Sequence, residues 1–362
     1  MRTISDTIKR LNKHRIALST GNSNKNGRLV QLTDFGTNPG QLHAWSYMPD
    51  TLATNAPLVV VLHGCTQSAS DYDIGSGWSK LAEEYGFALL YPEQQRTNNP
   101  NLCFNWFSKN DTRREDGEVF SIAQMIEILV KRHSLNRKRI YVTGLSAGGA
   151  MAAAMLAAYP EIFNSGAIVA GIAYGTASTI PQAFDRMRGH GLEDGASLAT
   201  YVTQATSHQG PWPKVSVWHG SIDTTVDPVN MEAIIGQWGS LHGLDRPALK
   251  STLDGHQVRK WQNTAGETVL EAYTIAGMGH GTPIKSDGEN ALGSARPFML
   301  DVGISSTWQI ASSWHLLDQR KISRSAKDAL DRETAAAKST GKNLEAIRQG
   351  IESALKSAGL MR

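Results

Sequence analysis

The spacing of apolar positions changes along the chain, and those changes divide it into strands and helices. Pro57-Leu58-Val59-Val60-Val61-Leu62 is an unbroken apolar run, as a strand shows when both its faces are covered. Phe87 to Tyr91, Arg139 to Gly144, Ala167 to Gly171, Val215 to His219 and Thr268 to Ile275 read the same way. Between them the spacing becomes helical at Trp78 to Tyr85, Val119 to Arg132, Ala147 to Tyr159 and Asn230 to Trp238. The second of these helices opens near Asp116 and Glu118 and closes on Lys131 and Arg132, charges that complement its dipole. Strands alternating with helices predict a mostly parallel sheet with helices on both faces.

The flanks differ. Residues 28–48 predict a hairpin, with Val30 and Leu32 alternating on one arm, Leu42 and Ala44 on the other, and a turn at Asn38-Pro39-Gly40. That hairpin would give the sheet an antiparallel N-terminal edge. Ile4, Ile8 and Leu11 stand at helical spacing, so residues 1–27 are expected to form a helical extension. Residues 172–210 break the rhythm between two core strands. They are expected to be an insertion over the carboxyl edge of the sheet, where α/β proteins place ligands. A catalytic domain over 28–320 then leaves an Ala-rich helical tail at 321–362, anchored by Leu330, Leu344, Ile347 and Leu355. That tail could dock, fray or pair two copies in a homodimer.

Charge and cysteine content narrow the function. The 36 basic and 33 acidic residues leave a net +3 with no basic recognition element, so a nucleic-acid partner is not expected. No apolar run approaches the ~20 residues of a membrane span. Met1 to Arg15 lacks the apolar stretch of a secretory signal, which points to the cytoplasm. Two cysteines, Cys65 and Cys103, cannot make a structural zinc site alone, and a reduced pair is the default without a signal.

Gly144-Leu145-Ser146-Ala147-Gly148-Gly149 carries the chemistry. It fits the G-x-S-x-G pattern between an apolar strand and a small-residue helix, where a sharp turn can hold a nucleophilic serine in strained backbone. A serine hydroxyl needs a base and an orienting acid. Asp223 follows the Val215–His219 strand and is the natural acid, with Asp227 as second candidate; His280, in Gly277-Met278-Gly279-His280-Gly281, is the base. His63 and His219, each before a glycine at a strand end, are expected to shape loops instead. The oxyanion hole would take the amide of Ala147 and one from His63-Gly64-Cys65-Thr66-Gln67, with Cys65 preferred and Thr66 as the alternative. Thr66, Trp106, the Tyr72-Asp73 segment and the insertion are candidates for the substrate pocket. No metal or organic cofactor is expected.

Five segments together resemble the poly(3-hydroxybutyrate) depolymerase family of esterases, relatives of feruloyl and acetylxylan esterases. They are Leu62-His63-Gly64-Cys65-Thr66-Gln67, Tyr91-Pro92-Glu93-Gln94, Cys103-Phe104-Asn105-Trp106-Phe107, Gly144 to Met151 and Val217-Trp218-His219-Gly220. The resemblance runs from about residue 28 to 315 and implies the α/β-hydrolase fold and carboxylic ester hydrolysis. It puts Ser146, Asp223 and His280 at the triad positions. It also implies a disulfide between Cys65 and Cys103 near Trp106, which would hint at an extracellular location. The chain departs from the pattern at Thr225-Val226-Asp227-Pro228, where an extra aspartate keeps Asp227 in contention. Its final residues show no counterpart of the linker and binding modules of polymer-degrading members. Soluble hydroxyalkanoate oligomers or aryl and acyl esters are therefore at least as expected as solid polyester. The rival readings are a feruloyl or acetylxylan esterase and a non-catalytic binding protein of the same fold.

Overall fold

A computed structural model describes residues 27–50 and 52–317. The expected helical extension before residue 27 and the expected tail at 321–362, with its homodimer contact, lie outside the described residues.

Ten strands form one sheet: β1 (Val30–Gln31), β2 (His43–Tyr47), β3 (Leu58–Leu62), β4 (Ala88–Glu93), β5 (Ile140–Leu145), β6 (Ser165–Val169), β7 (Lys214–Gly220), β8 (Leu249–Leu253), β9 (His256–Gln262) and β10 (Thr268–Ile275). Their order is β1-β2-β4-β3-β5-β6-β7-β10-β9-β8. The centre, from β4 to β10, is parallel throughout. Helices α1 (Ala69–Ser76), α2 (Trp78–Tyr85), α3 (Lys109–Thr112), α4 (Gly117–His133), α5 (Ala147–Ala158), α6 (Ile180–Met187), α7 (Gly195–Ala205), α8 (Val229–Leu241) and α9 (Ser306–Ser313) complete the layers. Helices flank both faces, so this is the α/β-hydrolase architecture. Every residue of β3, β5 and β6 is buried, which is why these strands read as apolar runs without alternation.

The antiparallel N-terminal edge is present: β1 pairs with β2, and β2 pairs antiparallel with β4. The opposite edge is antiparallel as well, because β9 runs against β10 and β8 against β9 through a tight Asp254-Gly255 turn. Sequence reading did not anticipate this second edge. Helices α6 and α7 fill the stretch between β6 and β7 where an insertion was expected. Beyond β10, β11 (Thr282–Ile284) pairs with β12 (Met299–Asp301) in a separate small sheet.

In α4, the Asp116 side chain caps the N-terminus by accepting from the Gly117 amide at 2.9 Å, and Lys131, Arg132 and His133 close the last turn. Helix α5 is buried on all sides, so its alanines and glycines let it lie close against the sheet. Among the described residues no helix is long and apolar enough to cross a membrane.

Candidate active site

The parallel register brings three loops to one sheet edge. Leu145 pairs with Val169, Val169 with Trp218, and Trp218 with Tyr273, so β5, β6, β7 and β10 end almost level. Ser146 follows β5 directly, and the loops carrying Asp223 and His280 follow β7 and β10.

Ser146 sits at φ 57° and ψ −117°, a strained conformation for a residue with a side chain. Its amide donates to the Val169 carbonyl at 2.9 Å, and its carbonyl accepts from the Ala150 amide at 2.9 Å, so the turn is held from both sides. The flanking residues must be small. A Cβ on Gly144 would lie 2.3 Å from the Gly148 carbonyl oxygen, and one on Gly148 would lie 2.4 Å from the carbonyl oxygens of Leu62 and His63. Between Ile140 and Ala158, Ser146 alone is not buried. The fold thus presents this hydroxyl and hides its neighbours.

Asp223 and His280 are joined, with His280 Nδ1 2.7 Å from Asp223 Oδ2. The two loops are also knit through their backbones, since Ser221 donates to Ile275 and Ile222 to Met278 at 2.9 and 3.1 Å. The other carboxylate oxygen accepts from the amides of Thr225 and Val226 at 2.8 and 3.0 Å. Burial alone would raise this carboxyl group's pKa. The charge of His280 and hydrogen bonds from His219 and His280 outweigh burial and hold it well below the usual carboxylate range. Asp227 instead accepts from the Val229 amide at 2.9 Å, at the start of α8. Of the two candidate acids, only Asp223 meets the base. Among the described residues no hydrogen bond links Ser146 to His280; resting active sites often hold this link long.

Neither alternative histidine occupies the base position. His219 is buried, and its Nε2 lies 3.0 Å from the Val226 carbonyl and 3.5 Å from Asp223 Oδ2. It thus reaches the same carboxylate oxygen that His280 contacts, a contact the sequence did not suggest. His63, directly after β3, is buried. Burial lowers its pKa, so the ring is neutral. With Nε2 accepting from the Gln94 amide at 3.1 Å, the proton lies on Nδ1, which donates to the Gly64 carbonyl at 2.8 Å.

The 63–67 loop is tied down at every residue. The Gly64 amide donates to Gln67 Oε1 at 2.8 Å, and the Thr66 amide donates to the Asn101 carbonyl at 2.7 Å. Thr66 therefore has no amide to offer an oxyanion, whereas the Cys65 amide meets no acceptor among the described residues. The Ala147 amide opens α5, where no carbonyl one turn earlier can take it. Cys65 and Cys103 form a disulfide, as the family resemblance implied, in place of the reduced pair taken as the default. Behind the loop, Glu118 accepts from Gln94 Nε2 and from both the amide and side chain of Asn105. Gln94 also donates to the Cys103 carbonyl at 3.2 Å, linking this network to the disulfide. Burial, then the charge of Asp111, push the Glu118 carboxyl up to about 8 against those hydrogen bonds.

The pocket candidates separate. Tyr72 is 1% exposed with its hydroxyl 3.1 Å from Thr282 Oγ1, and burial pushes its pKa up to about 12. Asp73 is also buried, accepting from Tyr91 and twice from Ser79. Both belong to the core, which corrects the expectation that this segment borders substrate. Trp106 is half-buried and, like Met187, packs against the small cluster of Ala150, Ile172 and Val226, which joins α5 to the loop after β7. It also walls a groove of about 560 Å³ shared with the insertion. Another cavity, of about 390 Å³, opens by Ser165, Lys214 and Thr268 at the strand starts, the edge opposite Ser146. Among the described residues no group of three or more His, Cys, Asp or Glu could hold a metal ion.

The family described as Esterase PHB depolymerase matches residues 43–254. Poly(3-hydroxyalkanoate) depolymerase C of Paucimonas lemoignei is 41% identical over 292 residues, covering 80% of this chain and 70% of that protein. A probable acetylxylan esterase A of Aspergillus clavatus is 33% identical over 276 residues, covering 73% of this chain and 87% of that protein. Among solved structures, an acetyl xylan esterase from Aspergillus awamori aligns with TM-score 0.68 at 25% identity, covering 80% of this chain and 100% of that one.

Proposed function

The chain belongs to the PHB depolymerase esterase family, and from that premise we propose that it hydrolyses hydroxyalkanoate esters through an acyl-enzyme on Ser146. Carboxylic ester hydrolysis is the chemistry of the family. The observation that carries the residue assignment is the His280–Asp223 pair at 2.7 Å, on the sheet edge where Ser146 alone is presented from its elbow.

His280 takes the Ser146 proton through Nε2 while Asp223 fixes Nδ1–H and stabilises the imidazolium that forms. The serine oxygen attacks the ester carbonyl, and the negative charge develops toward the amides of Cys65 and Ala147. Each such donor contributes about 2.7–4 kcal/mol of transition-state stabilisation, which explains why the Cys65 loop is so heavily braced. Protonated His280 next gives its proton to the leaving alcohol. Water, deprotonated by His280, then attacks the acyl-serine, and Ser146 leaves with that proton, releasing the carboxylic acid.

The substrate class is supported by the 41% identity to a protein named for poly(3-hydroxyalkanoate). The acetylxylan reading is supported by a 33% relative and by the aligned structure. Side-by-side kinetics on 3-hydroxybutyrate oligomers, acetylated xylan, methyl ferulate and p-nitrophenyl acetate separate them. The oligomers are expected to give the highest kcat/KM. A higher value on acetylated xylan or methyl ferulate would move the assignment there, and no hydrolysis of any ester would overturn the enzymatic reading.

A further inference from the structure

The groove beside Trp106 has a chemical character that the proposed triad does not require. Its lining includes Lys109, Arg113 and Arg114, on and just after α3, and Arg186 from α6. The only acidic residue in the lining is Glu193. Trp106, Tyr174 and Tyr201 supply aromatic surface in the same lining.

These cations are not equivalent. Arg113 and Arg114 pair with Asp116 and Glu161, at 2.6 Å in each case, and neither acid lines the groove. Arg186 has no carboxylate partner among the described residues. It is clamped by carbonyls instead, with Nε donating to Thr176 at 2.9 Å and Nη1 donating to His190. A guanidinium held by neutral acceptors has a fixed orientation and no anion already paired to it, which suits it to a carboxylate. Lys109 is exposed and makes no ion pair among the described residues. Glu193 is already engaged, accepting from the Tyr201 hydroxyl at 2.7 Å.

The groove reaches the chemistry at two points. Trp106 packs against the cluster of Ala150, Ile172 and Val226, in which the Ala150 amide bonds the Ser146 carbonyl and the Val226 amide bonds Asp223. Residue 187, directly after Arg186, accepts the Asp227 amide at 2.7 Å, and the Arg186 carbonyl accepts from Asn230 Nδ2 at 2.9 Å. The cation is therefore fixed to the loop that carries the acid.

We infer that this groove binds a carboxylate carried by the ester substrate, with Arg186 and Lys109 as its specificity-determining residues. The inference rests on the ester-hydrolase reading above and refines its substrate class. Each hydrolytic cut in a polyester of hydroxyacids leaves one hydroxyl and one carboxylate. Every soluble fragment thus carries a terminal anion, and the apolar repeat units can lie along the aromatic wall. Acetylated xylan offers the same group only where a uronic acid is attached.

The test compares substrates with and without that charge: 3-hydroxybutyrate trimer against its methyl ester, and acetylated xylo-oligosaccharides with and without a uronic acid. The free-acid trimer is expected to exceed its methyl ester in kcat/KM about tenfold or more, chiefly through KM, as a charge-assisted hydrogen bond requires. Arg186→Gln and, separately, Lys109→Gln are expected to shrink that ratio. Lys109 is exposed and holds no structural bond, so its variant keeps the test valid if Arg186→Gln disturbs the insertion. A preference confined to the uronic-acid pair would support the carboxylate site and assign the anion to polysaccharide. Equal rates within both pairs, or ratios unchanged in both variants, would overturn it. Steady hydrolysis of p-nitrophenyl acetate in that outcome would leave the esterase reading intact; its absence would implicate that reading instead.

Discussion

The two sides of the site are built to different standards. On one side, residues 63–67 are pinned by a disulfide, by Gln67, by the Asn101 carbonyl and by the buried His63–Gln94–Glu118 network. On the other, α6 buries only Ala183, and Ile180 stands 58% exposed. That side is held by a few hydrogen bonds such as those of Arg186 and Asn230. The contrast follows from what each side is proposed to do. An oxyanion amide displaced by a fraction of an ångström loses its value, so its support must be buried and satisfied. A surface that meets varied substrates gains from adjustable, half-exposed side chains on a connecting segment.

The largest expected effect breaks the catalytic side. Asp223→Asn should lower kcat roughly ten-thousandfold, because the imidazole loses its orienting carboxylate. Asp227→Asn, which touches only the start of α8, should stay within a few-fold; equal losses in the two variants would contradict the assignment of the acid.

Next comes the disulfide. It closes a loop with a sequence separation of 38, so the paired Cys65→Ser and Cys103→Ser variant should lose about 4 kcal/mol of stability on the loop-closure estimate. Denaturant titration measures that loss, and kcat should fall with it as the Cys65 amide loosens. A variant with wild-type kcat would show that the hydrogen bonds hold the loop unaided.

A subtler effect lies in pH. The native state keeps a proton on Glu118 up to about pH 8, whereas the unfolded chain releases it near 4.5, so this group's contribution to stability falls as pH rises across that window. His63 works in the opposite sense. Its lowered pKa means the unfolded chain takes up a proton below 6.5 that the native ring refuses, and stability is lost as pH falls below that value. Above 6.5 the His63 contribution is spent, while the Glu118 slope continues. The Tm should therefore decline from pH 6.5 to 8 in the wild type and decline less in Glu118→Gln. Parallel profiles would remove Glu118 from the account. The smallest effect belongs to the insertion, where Ile180→Ser should change stability by no more than about 0.5 kcal/mol.

What the sequence revealed was local or strongly periodic. The β3 and β5 runs, the caps of α4 and the small residues around Ser146 each depend on neighbours close in the chain. Asp223 and Asp227 stayed unresolved because the deciding contacts, His280 and the start of α8, come from folding. Tyr72 misled for a related reason: helical spacing does not say which face of α1 turns inward. Glu118 read as a dipole charge, since its partners Gln94 and Asn105 precede it in a separate segment. The β8–β9 edge was missed because β8 is almost wholly exposed and shows no alternation, although Asp254-Gly255 is a strong hairpin signal.

The central claim is that Ser146 is the nucleophile, and covalent labelling tests it most directly. The intact protein should take up one equivalent of a fluorophosphonate, peptide mapping should place the adduct on Ser146, and Ser146→Ala should neither label nor hydrolyse esters. An adduct on another residue, or ester hydrolysis undiminished in Ser146→Ala, would contradict it.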